Sequence, residues 1–386
     1  MKKQIVSILL LNLLLISCGT QKKSILKNIQ DSSEKLNCRL PRVVDADVAL
    51  GFPKVSELAP SIGKVNMTVL FVDFDDVPAT RTPDSVFSVI NPIASNFFNE
   101  VSYGKMELNL QPHFKWLRVS KKSEYYGMAI YRGQSHLDFI QEAVDLADAE
   151  VDFSQTHIVL VMTNPDAKEI RQGPTFKARD SEYRIRADGA AISTGITSGY
   201  DLNHWGGIWL PHETGHSLSL PDLYHFGTDS LNRYVGTFGL MGRCDAKAPG
   251  YFAFERWMLG WLDDSQIYCH ESGEIILEIE AIETIGGIKG LIVPLDTTSA
   301  LVIESRRKIG FDKNILKEGA IVYIVNTKIP GGRGPIQVKP GANNGNELLE
   351  DAPMAKGDKY IYQNVKVEIL ATNESSDKIK VTVQTK

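Results

Sequence analysis

The chain has 386 residues, of which 43% are hydrophobic and 23% are charged, an ordinary composition for a globular protein. This length exceeds that of one typical domain and predicts two. The formal net charge of −5 and the lack of a long basic run in the sequence argue against a nucleic-acid-binding protein.

The N-terminal residues have the pattern of an export signal. Two lysines precede an apolar run, residues 5–16, that is too short to span a bilayer comfortably. The run ends in Leu-Ile-Ser-Cys, which resembles a bacterial lipobox, so we expect residues 1–17 to be a signal peptide and Cys18 to carry the lipid. The alternative is a plain signal peptide with an unrelated cysteine. The lipoprotein reading predicts an extracytoplasmic protein anchored to a membrane at the cell envelope or cell surface.

Residues 18–60 are polar and then rich in proline, which predicts a tether and an irregular N-terminal segment. Three cysteines remain beyond Cys18, namely Cys38, Cys244 and Cys269. In an oxidising compartment an odd number predicts one disulfide and one leftover thiol, and the sequence does not choose the pair. The alternative role for Cys38 is a leader thiolate that blocks a metal site in a latent form.

The middle of the chain, residues 61–262, mixes helix and strand patterns. Strands are predicted at residues 65–74, 106–110 and 157–162, and amphipathic helices at residues 85–101 and 137–147. Because helices and strands do not alternate strictly, we expect an α+β domain rather than a doubly wound sheet.

After Trp261 the pattern becomes one of short strands separated by turn residues. Helical periodicity is nearly absent, which predicts a β-sandwich domain over residues 263–386. The predicted strands are residues 274–282, 290–294, 301–304, 320–325, 365–370 and 379–383.

The sequence His-Glu-Thr-Gly-His, residues 212–216, carries the strongest chemical signal. On a helix, His212 and His216 project from one face, where both imidazoles can bind one metal ion. Glu213 lies beside them and can act as general base towards a zinc-activated water. The alternative is a helix with two solvated or hydrogen-bonded histidines.

Two prolines limit this helix. Pro211 must fall in the first turn, where no N–H is needed, so the helix should begin no earlier than about Trp209. Pro221 disfavours helical geometry at Leu220, so the helix should end around Ser219.

The third metal ligand should follow the helix. Asp222 lies ten residues after His212, and catalytic zinc sites use three protein ligands that can include a carboxylate. The alternatives are His225 and, more remotely, Glu255, and Asp222 could also be a polar turn residue. Two neutral imidazoles and one carboxylate leave a zinc site with about one formal positive charge. This charge is lower than that of a three-histidine site, so a zinc-bound water is harder to deprotonate. Glu213 is therefore needed to take the proton of that water.

Residues 212–224, His-Glu-Thr-Gly-His-Ser-Leu-Ser-Leu-Pro-Asp-Leu-Tyr, resemble the zinc signature of the immune inhibitor A family of bacterial metallopeptidases. Weaker similarity lies in residues 97–105, 238–242 and 254–261. The resemblance implies a metzincin-like zinc-peptidase domain, one catalytic zinc ion held by His212, His216 and Asp222, and Glu213 as general base.

The resemblance also implies that Met241 forms a hydrophobic floor under the metal, although an ordinary core methionine predicts the same burial. The chain departs from the family pattern at Ser219, where glycine is usual. Glycine suits a left-handed residue at a helix exit, and serine in its place costs about 1 kcal/mol.

Two further sets of residues are candidates for supporting roles. An oxyanion-stabilising group should lie near the metal, and the candidates by sequence proximity are Tyr224, Tyr251 and Arg243. Three acids could bind a structural calcium ion, but their spacing matches no standard loop, so a solvated strand end is preferred. They are Asp73, Asp75 and Asp76.

The sequence therefore predicts a lipid-anchored, extracytoplasmic zinc metalloendopeptidase that hydrolyses protein or peptide substrates. A different class, a surface binding or adhesion lipoprotein on a catalytically decayed peptidase scaffold, is the alternative. The metal motif does not define the substrate, so hydrolysis of a compound other than a peptide is a third reading.

Overall fold

The computed structural model describes residues 38–227, 230–340 and 347–384. The expected signal peptide, Cys18 and most of the expected tether lie outside the described residues. The described part is a mixed α+β fold with few helices, several sheets and mostly β structure, in agreement with the predicted class. Within it, no helix has both the length and the apolar character needed to cross a membrane.

The elements of the described residues follow in chain order. The helices are α1 (Pro83–Phe87), α2 (Ile93–Val101), α3 (Ser123–Ala129), α4 (Gly133–Ala147), α5 (Leu202–Trp205), α6 (Trp209–Ser217) and α7 (Ala253–Met258). The strands are β1 (Gly63–Asp73), β2 (Met106–Arg118), β3 (Ile158–Thr163), β4 (Thr175–Lys177), β5 (Ile185–Ala187), β6 (Ala190–Ile192), β7 (Thr194–Thr197), β8 (Ile267–Cys269), β9 (Gly273–Glu280), β10 (Gly290–Pro294), β11 (Ser299–Arg306), β12 (Gly319–Asn326), β13 (Ile336–Lys339), β14 (Lys359–Tyr362), β15 (Val365–Thr372) and β16 (Ser376–Val383).

A five-stranded sheet in the order β2-β1-β3-β7-β4 organises the first part of the chain. Strands β2, β1, β3 and β7 run parallel, and β4 pairs antiparallel with β7 at the end of the sheet. In β1, Val69 and Phe71 belong to the hydrophobic cluster shared with α6, and Leu70 and Val72 to the cluster shared with α4. Burial on both faces explains why residues 69–72 of β1 are all apolar and do not alternate with polar residues.

The helix predicted over residues 85–101 is wrong as a single element. The structure has two helices there, α1 and α2, and Pro92 occupies the N-cap of α2. Proline has no N–H to donate to a preceding turn, and its ring crowds that turn, so one continuous helix is disfavoured. The second predicted helix, residues 137–147, lies within α4, which begins at Gly133.

The last third of the chain forms two sheets, with strand orders β13-β12-β11-β10-β8 and β14-β15-β16-β9. Each of the six strands predicted there overlaps an observed strand. Side chains from both sheets meet in one hydrophobic cluster, for example Ile303 and Val322 from the first sheet with Val367 and Val381 from the second. Strands β8, β13 and β14 escaped prediction because three or four residues carry too little periodicity.

Hydrophobic packing continues across residue 263, where the sequence places a domain boundary. The cluster shared with α6 includes Ile292, Val302 and Tyr323 from the sheet of β10–β13. The domain division stays a prediction, but the two regions share one buried core.

The N-terminal segment, residues 38–62, crosses the end of α6. Ala59 N donates to Ser217 O and Ala49 N to Ser219 O, each at 3.1 Å. A disulfide joins Cys38 to Cys269, with a Cα–Cα distance of 6.0 Å, and Cys244 is not in a disulfide. The described cysteines thus form the one disulfide and one leftover thiol that the sequence predicts.

Candidate metal centre

Helix α6 carries both histidines of the motif. It begins at Trp209, as predicted, so Pro211 falls in the first turn, where a backbone N–H has no intrahelical acceptor. It ends at Ser217, two residues before the predicted end. All nine of its residues are buried, so His212 and His216 must be stabilised by partners rather than by water.

The turn that ends α6 also positions the second histidine. Ser219 has a left-handed φ of +86°, the conformation expected for the glycine that is usual there. Ser219 N donates to His216 O at 3.0 Å, and Leu220 N donates to Gly215 O at the same distance. These two bonds define a Schellman cap. The Ser219 hydroxyl accepts a hydrogen bond from Val55 N at 3.3 Å, a contact that glycine could not make.

Backbone carbonyls orient both imidazoles. His212 Nδ1 lies 2.9 Å from Leu240 O, and His216 Nδ1 lies 2.8 Å from Leu220 O. A carbonyl oxygen only accepts, so each Nδ1 carries the proton that it donates. In the neutral rings this tautomer leaves the Nε2 lone pairs for a metal, which is the usual arrangement of metal-binding histidines.

Asp222 lies between the two Nε2 atoms. Its Oδ1 is 3.4 Å from His212 Nε2 and 3.3 Å from His216 Nε2, and this buried oxygen has no hydrogen-bond partner. Both distances exceed those of good N–H···O hydrogen bonds. Bonds of about 2.0–2.1 Å at tetrahedral angles separate the ligand atoms by about 3.3–3.4 Å, so these three atoms are spaced as zinc ligands would be.

Charge coupling within this group is strong. Burial lowers the pKa of His212, but the carboxylates of Asp222 and Glu213 outweigh burial and raise it to about 9. Burial raises the pKa of Asp222, yet contacts with His216 and His212 win and hold it far below its usual range. The carboxylate of Asp222 is therefore ionised, which is the form that binds metal.

Glu213 is held by strand β4. The Thr175 hydroxyl lies 2.8 Å from Glu213 Oε2 and 2.9 Å from Glu213 O, so it can donate to either oxygen. The ligand atoms of His212, Glu213 and His216 lie within 4.8 Å of one another. Glu213 is therefore close enough to act on a water molecule beside the two imidazoles.

Two sets of three donors are thus geometrically available, one with Asp222 and one with Glu213. Asp222 Oδ1 lies at ligand spacing from both Nε2 atoms, and it has no hydrogen-bond partner. Glu213 already accepts from Thr175. The first set fits zinc better, and it leaves Glu213 for acid–base chemistry.

His225 and Glu255, the alternative third ligands, contact other parts of the protein. The ring of His225 packs edge-on against Tyr234, with 5.2 Å between centroids. Glu255 is fully buried in α7, where Oε2 accepts from Phe252 N at 2.8 Å, and burial raises its pKa to about 8. Neither residue lines the cavity at the histidine pair, as far as the described residues show.

Met241 packs against α6 at Gly215. A Cβ built on Gly215 would lie 2.5 Å from Met241 Sδ and 2.9 Å from the Tyr251 hydroxyl. Met241 is fully buried, and its carbonyl accepts from Leu223 N at 2.8 Å. It therefore supports both the helix and the segment that carries Asp222.

The three candidates for oxyanion stabilisation differ in position. Tyr251 is fully buried and its hydroxyl donates to Pro211 O at 2.9 Å, so it is a structural residue of α6. Arg243 lines the cavity and pairs with Asp245. Tyr224 lines the cavity with its ring stacked on His212, and burial, followed by the nearby carboxylates, raises its pKa. Tyr224 thus stays protonated and is able to donate.

The site opens into a cavity of about 550 Å³. The metal-centre residues His212, Glu213, His216 and Asp222 line it together with Thr175 and Lys177 of β4. Burial lowers the pKa of Lys177, whose Nζ lies 2.9 Å from Thr175 O. Sequence reasoning missed β4, because a strand of three residues has no usable periodicity.

The C-terminal region supports the segment that carries Asp222. Gly332 N donates to Asp222 O at 2.9 Å, and Phe226 N donates to Gly332 O at 3.0 Å. Gly332 has a φ of +70°, and a Cβ there would lie 2.2 Å from the Phe226 ring. Only glycine fits this position without moving the segment that carries Asp222.

The three acids considered for calcium bind protein groups instead. Asp73 accepts from Arg118 at 2.7 and 2.8 Å, and Asp76 accepts from Ser123 N at 2.9 Å. Asp75 is largely exposed, with its carboxylate 3.6 Å from Arg118. These contacts tie the acids to protein groups near the end of β1, and a calcium ion there stays an untested alternative.

Comparisons with families of known proteins and with curated proteins find no match for this chain.

Proposed function

We propose that this protein is a zinc metalloendopeptidase whose metal ligands are His212, His216 and Asp222. The observation that carries the proposal is the position of Asp222 Oδ1, 3.4 and 3.3 Å from the two imidazole Nε2 atoms and without another partner. A histidine pair that served only packing would have no reason to keep an unpartnered carboxylate oxygen at tetrahedral ligand spacing.

Zinc in such a site would polarise a carbonyl and lower the pKa of water. The remaining work falls to side chains of this chain. Glu213, oriented by Thr175, accepts the proton of the attacking water and passes it to the leaving amine. Tyr224 lies over His212 with its proton in place and can donate to the oxygen that becomes negatively charged.

We also propose a domain architecture and a family for the chain. The mixed region up to about residue 262 would be a metzincin-like peptidase domain, and the two packed C-terminal sheets a β-sandwich. The motif of residues 212–224 supports membership of the immune inhibitor A family. The left-handed φ of Ser219, where that family usually has glycine, is consistent with the same helix exit.

The proposed location is extracytoplasmic, with Cys18 as a lipid anchor. The Cys38–Cys269 disulfide supports this location, because such bonds persist in oxidising compartments. Strand β4 is at the edge of its sheet and lines the cavity. An extended peptide can form main-chain hydrogen bonds with such an edge, so the cavity suits a peptide substrate.

The test combines zinc stoichiometry with hydrolysis of unfolded casein. The purified protein should contain one zinc ion, lose hydrolysis with a chelator and regain it with zinc. Glu213→Gln should keep the zinc and lose about 10²- to 10⁴-fold in rate, whereas Glu182→Gln, the same change at an exposed position, should behave as wild type.

Two results would contradict the proposal. Hydrolysis by Glu213→Gln at the wild-type rate would exclude Glu213 as the general base. A zinc-containing protein without any chelator-sensitive hydrolysis would favour the decayed binding lipoprotein instead.

A further inference from the structure

One wall of the metal-centre cavity takes no part in the proposed chemistry. It consists of Asp201 at the N-terminus of α5, Trp205 at its end, Trp209 at the start of α6, and Tyr131 just after α3. The backbone fixes part of this wall, because Trp205 N donates to Asp201 O at 2.9 Å.

Two polar atoms of this wall are buried and have no hydrogen-bond partner. They are Asp201 Oδ1, an acceptor, and Trp209 Nε1, a donor on a side chain that is 1% exposed. The other carboxylate oxygen of Asp201 accepts a long hydrogen bond, 3.4 Å from Gly173 N. Unpartnered buried polar groups are destabilising and rare, and in a cavity they point to a missing ligand group.

The charge of Asp201 is also uncompensated. The other carboxylates of the cavity have partners: Asp245 pairs with Arg243, Asp222 contacts the histidines, and Glu213 accepts from Thr175. Among the described residues, no cation forms an ion pair with Asp201. Burial raises the pKa of Asp201 to about 6, and the Glu213 carboxylate adds to the shift. A bound cation would remove this penalty.

The aromatic neighbours indicate the chemistry of that cation. Tyr131 is 56% exposed and stands at the mouth, whereas Trp205 and Trp209 are more deeply buried. Aromatic faces attract ammonium and guanidinium groups, and their surfaces cover an aliphatic side-chain stem. An acid that lines the same cavity as these rings suits a long cationic side chain better than an apolar one.

We propose that Asp201, Tyr131, Trp205 and Trp209 form a specificity subsite for a lysine or arginine side chain of the peptide substrate, close to the bond that is cleaved. The inference rests on the proposed peptidase function and names its substrate class. The cationic group binds Asp201, and the rings of Tyr131 and Trp205 cover the aliphatic stem of the side chain.

The test uses one neutral peptide with arginine, lysine, norleucine or glutamate placed in turn at each position around the cleaved bond. Wild type should give the highest kcat/KM with arginine or lysine at one position. In Asp201→Asn the ratio of arginine to norleucine peptides should fall by about 30-fold or more. Asp138→Asn, the same charge change on the exposed side of α4, should keep the wild-type ratio.

A second variant protects the test against misfolding. Tyr131→Ala alters an exposed residue and should lower the same ratio, although by less. Hydrolysis without a cationic preference, or an unchanged ratio in folded Asp201→Asn, would overturn the subsite.

A binding measurement separates this inference from the peptidase function. Calorimetry with Glu213→Gln should show tighter binding of the arginine peptide than of the norleucine peptide, and Asp201→Asn in that background should abolish the difference. If wild type cleaves no peptide, the peptidase proposal fails, yet this difference would still support the subsite and equal binding would overturn it.

Discussion

Replacing Asp222 with alanine tests the third ligand directly. Its Oδ1 lies 3.4 and 3.3 Å from the two histidine Nε2 atoms, so the variant should lose one of three protein donors. Zinc bound by four protein ligands gains roughly 10–16 kcal/mol, so one ligand is worth about 2.5–4 kcal/mol. The zinc Kd should therefore rise by about 10²- to 10³-fold. Because Asp222 Oδ1 has no hydrogen-bond partner, its removal breaks no such bond in the protein.

The assay is competition between metal-free protein and a chromophoric zinc chelator at fixed pH, with folding checked by circular dichroism. The matched control is His225→Gln, because His225 is the rival ligand and packs instead against Tyr234. The control should bind zinc as wild type does. Wild-type affinity in Asp222→Ala together with lost affinity in His225→Gln would refute the assignment of the third ligand.

Three further predictions follow from the contacts around the site. Thr175→Val removes the hydroxyl beside Glu213 Oε2 and should lower kcat/KM by about 10- to 100-fold at unchanged zinc content; a loss of zinc instead would show that Thr175 supports the ligands. Ser219→Ala keeps the left-handed strain and leaves Val55 N unpaired, so chemical denaturation should show a loss of about 1–3 kcal/mol. Ser219→Gly loses the same bond but relieves about 1 kcal/mol of strain, so it should be the more stable of the two. Asp201→Asn should be about 1–2 kcal/mol more stable than wild type above pH 6, after allowance for solvent screening. The pKa of Asp201 is raised to about 6 in the folded state, so its protonated side chain stabilises the fold fully below about pH 4. This stabilisation is lost as the pH rises through 6. The stability advantage of Asp201→Asn over wild type should therefore vanish in acid.

The parts of the site that sequence could predict are local. The start of α6 at Trp209 follows from Pro211, and the facing histidines follow from their spacing of four. The left-handed exit was also predictable, because the motif usually has glycine where this chain has Ser219. Such features depend on neighbouring residues, which a sequence shows directly.

The parts that escaped prediction depend on residues far apart in the chain. The position of Asp222 beside the histidines follows from the hydrogen bonds of the loop to Met241 and Gly332. The partner of Cys38 is 231 residues away, and no pattern marks it. Asp201 reads as an ordinary helix-start acid until the fold places it in the metal-centre cavity.

The geometry of Asp222 depends on three separate parts of the chain. The cap at Ser219 directs the chain away from α6, and the Met241 carbonyl fixes the next turn through Leu223 N. Gly332 then holds Asp222 through its own N–H. Loops that lack such contacts are mobile, so these hydrogen bonds are what keep the Asp222 carboxylate beside the two imidazoles. The C-terminal sheets therefore contribute to the candidate site by holding Asp222, and they share a buried core with α6.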